Sequence, residues 1–176
     1  KSGRYEVTGV HATTSPSMDI QVSSNFERLV YLANSSNPEA VVRAMSGLKQ
    51  SGSFTLENAA LSSIRHEFDS GRASEAETAA TMQAFLASTG EVIDPHTAVG
   101  LHVAGQNRGE SPMIVLATAH PAKFPDAVMR ATGVNPALPH KLKGLMEREE
   151  SFTVLPNSAE AVKSLILSSA SDKQIY

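Results

Sequence analysis

The run Met113-Ile114-Val115-Leu116-Ala117 constrains the fold most: an unbroken apolar stretch between Pro112 and a polar loop. A strand with no polar face must be covered on both sides, the situation of a strand inside an α/β sheet. Three other segments read as extended, Tyr5 to Val10, Met18 to Val22 and Phe152 to Leu155, each rich in β-branched or aromatic residues between Gly, Ser and Pro. So few short strands do not make a free-standing parallel sheet. They are expected to complete a sheet whose other strands belong to sequence outside this chain. The start Lys1-Ser2-Gly3-Arg4, with neither an initiator Met nor a signal sequence, likewise reads as a chain entered in the middle.

Between these strands the apolar period changes to that of helices. Ser24 and Glu27 have capping-box spacing ahead of a stripe at Phe26, Leu29, Val30 and Ala33. Asn37-Pro38-Glu39 predicts a second helix start, and Leu61, Ile64 and Phe68 mark a third helix ending near Gly71. Ser74 and Glu77 repeat the capping box before Met82, Phe85 and Leu86, and Gly90 stops that helix. Beyond it, helices are expected from Asp94-Pro95 to Gly105, from Pro125 to Gly133, over Pro139 to Arg148 and over Ala159 to Ser169. The division is therefore 1–23, strands of a large α/β domain; 24–90, a helical insertion; and 91–176, the C-terminal part of the α/β domain.

The chemistry is narrowed by what 176 residues omit. With no Cys there is no disulfide, thiolate metal site or cysteine nucleophile, which suits a cytoplasmic protein. A net charge of −3 argues against a nucleic-acid surface, and no apolar run approaches the roughly 20 residues that span a bilayer. The six histidines form no His-x-x-x-His or Glu-x-x-His pair, so no metal site is expected. There is no Gly-x-Ser-x-Gly elbow and no phosphate-binding Gly-x-x-x-x-Gly-Lys loop. The carboxylates of the insertion, such as Glu57, Glu67, Glu75 and Glu77, read as a solvated face.

Three stretches gather polar residues at strand ends and helix starts, where α/β proteins collect ligands. They are Ser15-Pro16-Ser17-Met18-Asp19-Ile20-Gln21-Val22-Ser23-Ser24-Asn25-Phe26-Glu27-Arg28, Asp94-Pro95-His96-Thr97-Ala98-Val99-Gly100 and Leu116-Ala117-Thr118-Ala119-His120-Pro121-Ala122-Lys123-Phe124. Thr118 and His120 would emerge at the carboxyl end of the most buried strand. Taken alone, such residues also serve simply to satisfy loop backbone groups.

Together, and in this order, the three stretches resemble the C-terminal part of the threonine synthase family. The resemblance implies the C-terminal portion of a type II pyridoxal-phosphate (PLP) fold carrying a helical insertion. It implies PLP as cofactor and conversion of O-phosphohomoserine and water to threonine and phosphate. It places the Schiff-base lysine and the cofactor-phosphate loop in an N-terminal part of the same enzyme, so this chain is expected to hold no catalytic residue and to be inactive alone. Thr118 matches the family threonine whose hydroxyl faces the cofactor's pyridine nitrogen. Asp94, His96, Thr97, His120 and Lys123 match motif positions and form a candidate active-site wall, without individual roles. The alternatives are another type II PLP lyase and a non-catalytic α/β interaction domain.

Overall fold

The computed structural model describes residues 2–172, which fall into two units, one running to Leu138 and one starting at Pro139. In the first unit, β1 (Arg4–Glu6) pairs antiparallel with β2 (Ser53–Thr55), setting Tyr5 opposite Phe54 with their rings stacked 5.3 Å apart. Phe26 of α1 (Ser24–Ala33) stacks on Tyr5 at 5.2 Å. The Tyr5 hydroxyl donates to the Gln21 carbonyl at 2.7 Å and accepts the Ser23 N–H at 3.1 Å. One amphipathic side chain thus joins the sheet, α1 and the segment that leads into it.

The later helices begin where local chemistry satisfies their first N–H groups. Asn37 accepts from the N–H groups of Glu39 and Ala40, and Pro38 opens α2 (Pro38–Ser51). α3 (Asn58–Glu67) packs against α1. Ser74 and Glu77 form the reciprocal capping box of α4 (Glu75–Thr89), with the Glu77 carboxylate 2.7 Å from the Ser74 N–H. α4 packs against α5 (Pro95–Gln106) and α6 (Pro125–Thr132), burying Met82, Ala98, Val128 and Ala131 beneath Ala79, Val92 and Ile93. Gln83 closes this layer by donating to the Ala131 carbonyl at 2.7 Å. Gly71 lets the α3–α4 loop press on α5: a Cβ there would fall 2.8 Å from Val103 Cγ1.

Several sequence expectations are corrected. Of Tyr5 to Val10 only the first two residues lie in a strand, while Thr8 and Gly9 donate to the Gln21 side chain instead. Met18 to Val22 is not a strand, because Pro16–Met18 winds into a 3-10 turn and the Asp19 carboxylate takes the N–H and hydroxyl of Thr13. Ser24 does not cap α1; Ser23 holds that position without a side-chain bond. α3 ends at Phe68 rather than near Gly71. Met113 to Ala117, expected to pair with strands outside this chain, has no ladder partner among the described residues, and Ile114 and Leu116 are 83% and 75% exposed.

In the second unit, Pro139 to Arg148 forms two 3-10 turns, His140–Leu142 and Leu145–Glu147, rather than an α-helix. Gly144 separates them with φ +77°, a left-handed conformation incompatible with a continuous helix. Phe152 to Leu155 has no ladder partner among the described residues, and Phe152 and Val154 are exposed. The last helix, α7 (Ala159–Asp172), forms as expected.

Candidate functional site

Asp94 is the pivot of the site. As N-cap of α5 it stands where four N–H groups lack helical partners, and Pro95 removes one of them by having no N–H. Its side chain is fully buried. Oδ2 accepts the His96 backbone N–H at 3.0 Å and lies 2.7 Å from His96 Nδ1. Oδ1 accepts the Thr97 N–H at 3.1 Å and the Thr97 hydroxyl. An unpaired buried carboxylate would be strongly disfavoured, and these donors offset its desolvation.

The other two motifs converge on His96. Its Nε2 accepts the Ser17 backbone N–H at 3.2 Å, linking α5 to the Pro16–Met18 turn across the chain. Its ring lies 4.7 Å from that of Phe124, tilted by 51°. Phe124 also carries Lys123, whose Nζ stands 5.8 Å from the ring centroid, within cation–π range. His120 is exposed and serves locally: its Nδ1 accepts the Ala122 N–H at 3.1 Å and caps the 3-10 turn Pro121–Lys123.

Beside His96 runs an open groove of about 440 Å³, whose walls include Met18, Gly100, Met113, Leu116 and Thr118. Gly100 lets the 113–117 segment approach α5, with Val115 Cγ1 3.3 Å from where a Cβ would stand. Thr118 is exposed on this mostly apolar wall. Of the residues singled out from sequence, Thr118 and His96 share the groove. Asp94 and Thr97 stand behind it, buried, and Lys123 and His120 belong to the loop that brings Phe124 against His96.

Ser15, Ser17, Met18 and Phe124 lie within the three stretches, but nothing in the sequence singles them out. Ser17 acts through its backbone N–H, which no residue identity advertises. Ser15 is buried, and its hydroxyl has no hydrogen-bond partner among the described residues. Asp69 also lines the groove. Among the described residues no three His, Cys, Asp or Glu side chains gather as a metal site, and no helix is long and apolar enough to cross a membrane.

Comparison with known proteins agrees in sequence and in fold. The family described as threonine synthase, C-terminal, matches residues 97–166. The threonine synthase of Pseudomonas aeruginosa is 43% identical over 166 residues, an alignment covering 93% of this chain and 35% of that protein. The crystal structure of PLP-bound threonine synthase from Brucella melitensis superposes with a TM-score of 0.84 at 55% identity, covering 94% of this chain and 36% of the other. Yeast threonine synthase superposes with a TM-score of 0.77 at 34% identity, covering 98% and 39%. The chain thus spans little more than a third of the length of the proteins it matches. Over nearly its whole length, in sequence and in fold, this chain matches the C-terminal region of threonine synthases.

Proposed function

We propose that this chain supplies one wall of the cofactor site in a PLP-dependent threonine synthase, which converts O-phosphohomoserine and water to threonine and phosphate. The observation that carries the reading is the exposed Thr118 hydroxyl on an apolar groove beside the buried Asp94–His96 pair. The donor set fits: apolar walls suit a flat aromatic ring, and a hydroxyl suits a ring nitrogen that needs a hydrogen-bond donor. When bound, PLP supplies an electron sink for carbanion chemistry.

In this reading Thr118 is the residue of the chain that contacts the cofactor. Its hydroxyl donates to the pyridine nitrogen and, being a poor acid, leaves that nitrogen unprotonated, which moderates the sink. Met113 and Leu116 line the ring's surroundings and limit water there. Asp94, His96 and Thr97 hold the start of α5 behind the wall, and Lys123 and His120 shape the loop after Thr118. The lysine that anchors the cofactor is assigned to the N-terminal part of the enzyme, which is therefore this chain's partner. Segment 24–90 is read as a helical insertion between 1–23 and 91–176, and the setting as cytoplasmic.

The test is Thr118→Val in the chain combined with the N-terminal part of a threonine synthase. The swap keeps shape and removes the donor, so turnover should fall by roughly ten- to a hundredfold, corresponding to about 1–3 kcal/mol. The melting temperature should stay close to that of the wild type. Unchanged turnover with an unchanged cofactor spectrum would remove Thr118 from the site.

A further inference from the structure

Hydrogen-bond polarity fixes the state of His96. The Ser17 backbone N–H can only donate, so Nε2 must present a lone pair to it. On the other side of the ring, Nδ1 faces an Asp94 oxygen and must carry the proton. Asp94 is itself held by Thr97 and by the α5 backbone, so the direction of the Nδ1–H bond is set from behind. His96 is therefore a neutral imidazole of one tautomer, only 5% exposed, with its ring packed at a tilt against that of Phe124.

What this ring holds is the Pro16–Met18 turn. The turn's own bonds are short-range, Met18 N–H to the Ser15 carbonyl at 2.8 Å and Asp19 N–H to the Pro16 carbonyl at 3.2 Å. Thr14, just before the turn, reaches Glu75 of α4 through its N–H and its hydroxyl, each at 3.2 Å. The bond from Ser17 to His96 ties the turn itself to α5. Met18, at the end of the turn, lines the groove together with His96 and Thr118.

We propose that His96 is a positioning residue for the groove: its Nε2 lone pair, oriented by Asp94, anchors the Pro16–Met18 turn and thereby sets where Met18 stands on the wall it shares with Thr118. The proposal rests on reading this groove as the cofactor wall. It gives His96 no proton-transfer step, because both ring nitrogens are committed.

Two substitutions separate the two nitrogens. In His96→Asn the amide can still donate toward Asp94 but is too short to reach Ser17. In His96→Gln the amide oxygen reaches the Nε2 position and can accept the Ser17 N–H. Nitrogen NMR of the wild-type chain should report the Nδ1–H tautomer at His96. A labelled Met18 methyl should shift in His96→Asn and return toward its wild-type position in His96→Gln. With the N-terminal part of a threonine synthase added, His96→Asn should weaken PLP binding about tenfold, the loss of one buried hydrogen bond, and His96→Gln should recover to within about threefold of wild type.

An Nε2–H tautomer, a Met18 methyl unmoved in His96→Asn, or a His96→Gln variant no better than His96→Asn would overturn the proposal. If His96→Asn does not fold, His96→Gln decides alone, and loss of either the Met18 position or the affinity sinks the idea. If Thr118→Val binds PLP as tightly as wild type, the reading of the groove as cofactor wall falls instead. The tautomer and the Met18 methyl still judge the hold of His96 on the turn.

Discussion

Asp94 accepts hydrogen bonds from two backbone N–H groups, a hydroxyl and an imidazole while fully buried, so removing it leaves several donors without a partner. Asp94→Ala should cost about 3 kcal/mol of stability, combining an N-cap loss of ~1 kcal/mol with a buried unsatisfied donor of ~2 kcal/mol. Denaturant midpoints of the two proteins measure this, and a loss below ~1 kcal/mol would contradict the organising role of Asp94. The motif Asp94-Pro95-His96-Thr97 was legible in the sequence as a helix start. The coupling of His96 to Ser17 was not, since its donor is a backbone N–H brought close by tertiary folding. Thr118 and His120 show the same limit. Both looked alike as polar residues after an apolar run, yet Thr118 lines the groove and His120 caps a turn.

Helix starts were legible wherever the cap is a local side chain. Asn37, Ser74 and Asp94 each bond N–H groups two or three residues on, so the sequence window holds both partners. Strands were not, because their partners are distant. β2 is only three residues long and is defined by its pairing with β1, whereas Met113 to Ala117 has a strand's composition without a described neighbour to pair with. The α4 cap makes a pH prediction. Hydrogen bonding from the Ser74 backbone N–H, and next from its hydroxyl, holds the Glu77 carboxyl below the usual carboxylate range. A depressed folded-state value means the stabilisation is present above the unfolded value and disappears as pH falls through the folded one. The melting-temperature lead of wild type over Glu77→Gln should therefore shrink on acidification through the ordinary glutamate range near about pH 4.3. A lead that stays constant or grows would contradict the capping account. Ser74→Ala, read at neutral pH, should cost ~1 kcal/mol.

At the scale of the whole molecule, apolar side chains stand exposed on extended segments, Met113, Ile114 and Leu116 in the first unit and Phe152 and Val154 in the second. Exposure on this scale marks surfaces built to be covered. The sequence expectation that these segments need neighbours from elsewhere agrees with that exposure, and with a chain that spans little more than a third of the threonine synthases it matches. In the proposed enzyme the N-terminal part covers them and completes the groove at Thr118. The most direct measurement is phosphate release from O-phosphohomoserine, with PLP present, by the chain, by the N-terminal part of a threonine synthase, and by the two together. The account predicts release from the pair and none from either alone. Release by the chain alone, or none from a pair shown to associate and bind PLP, would contradict it.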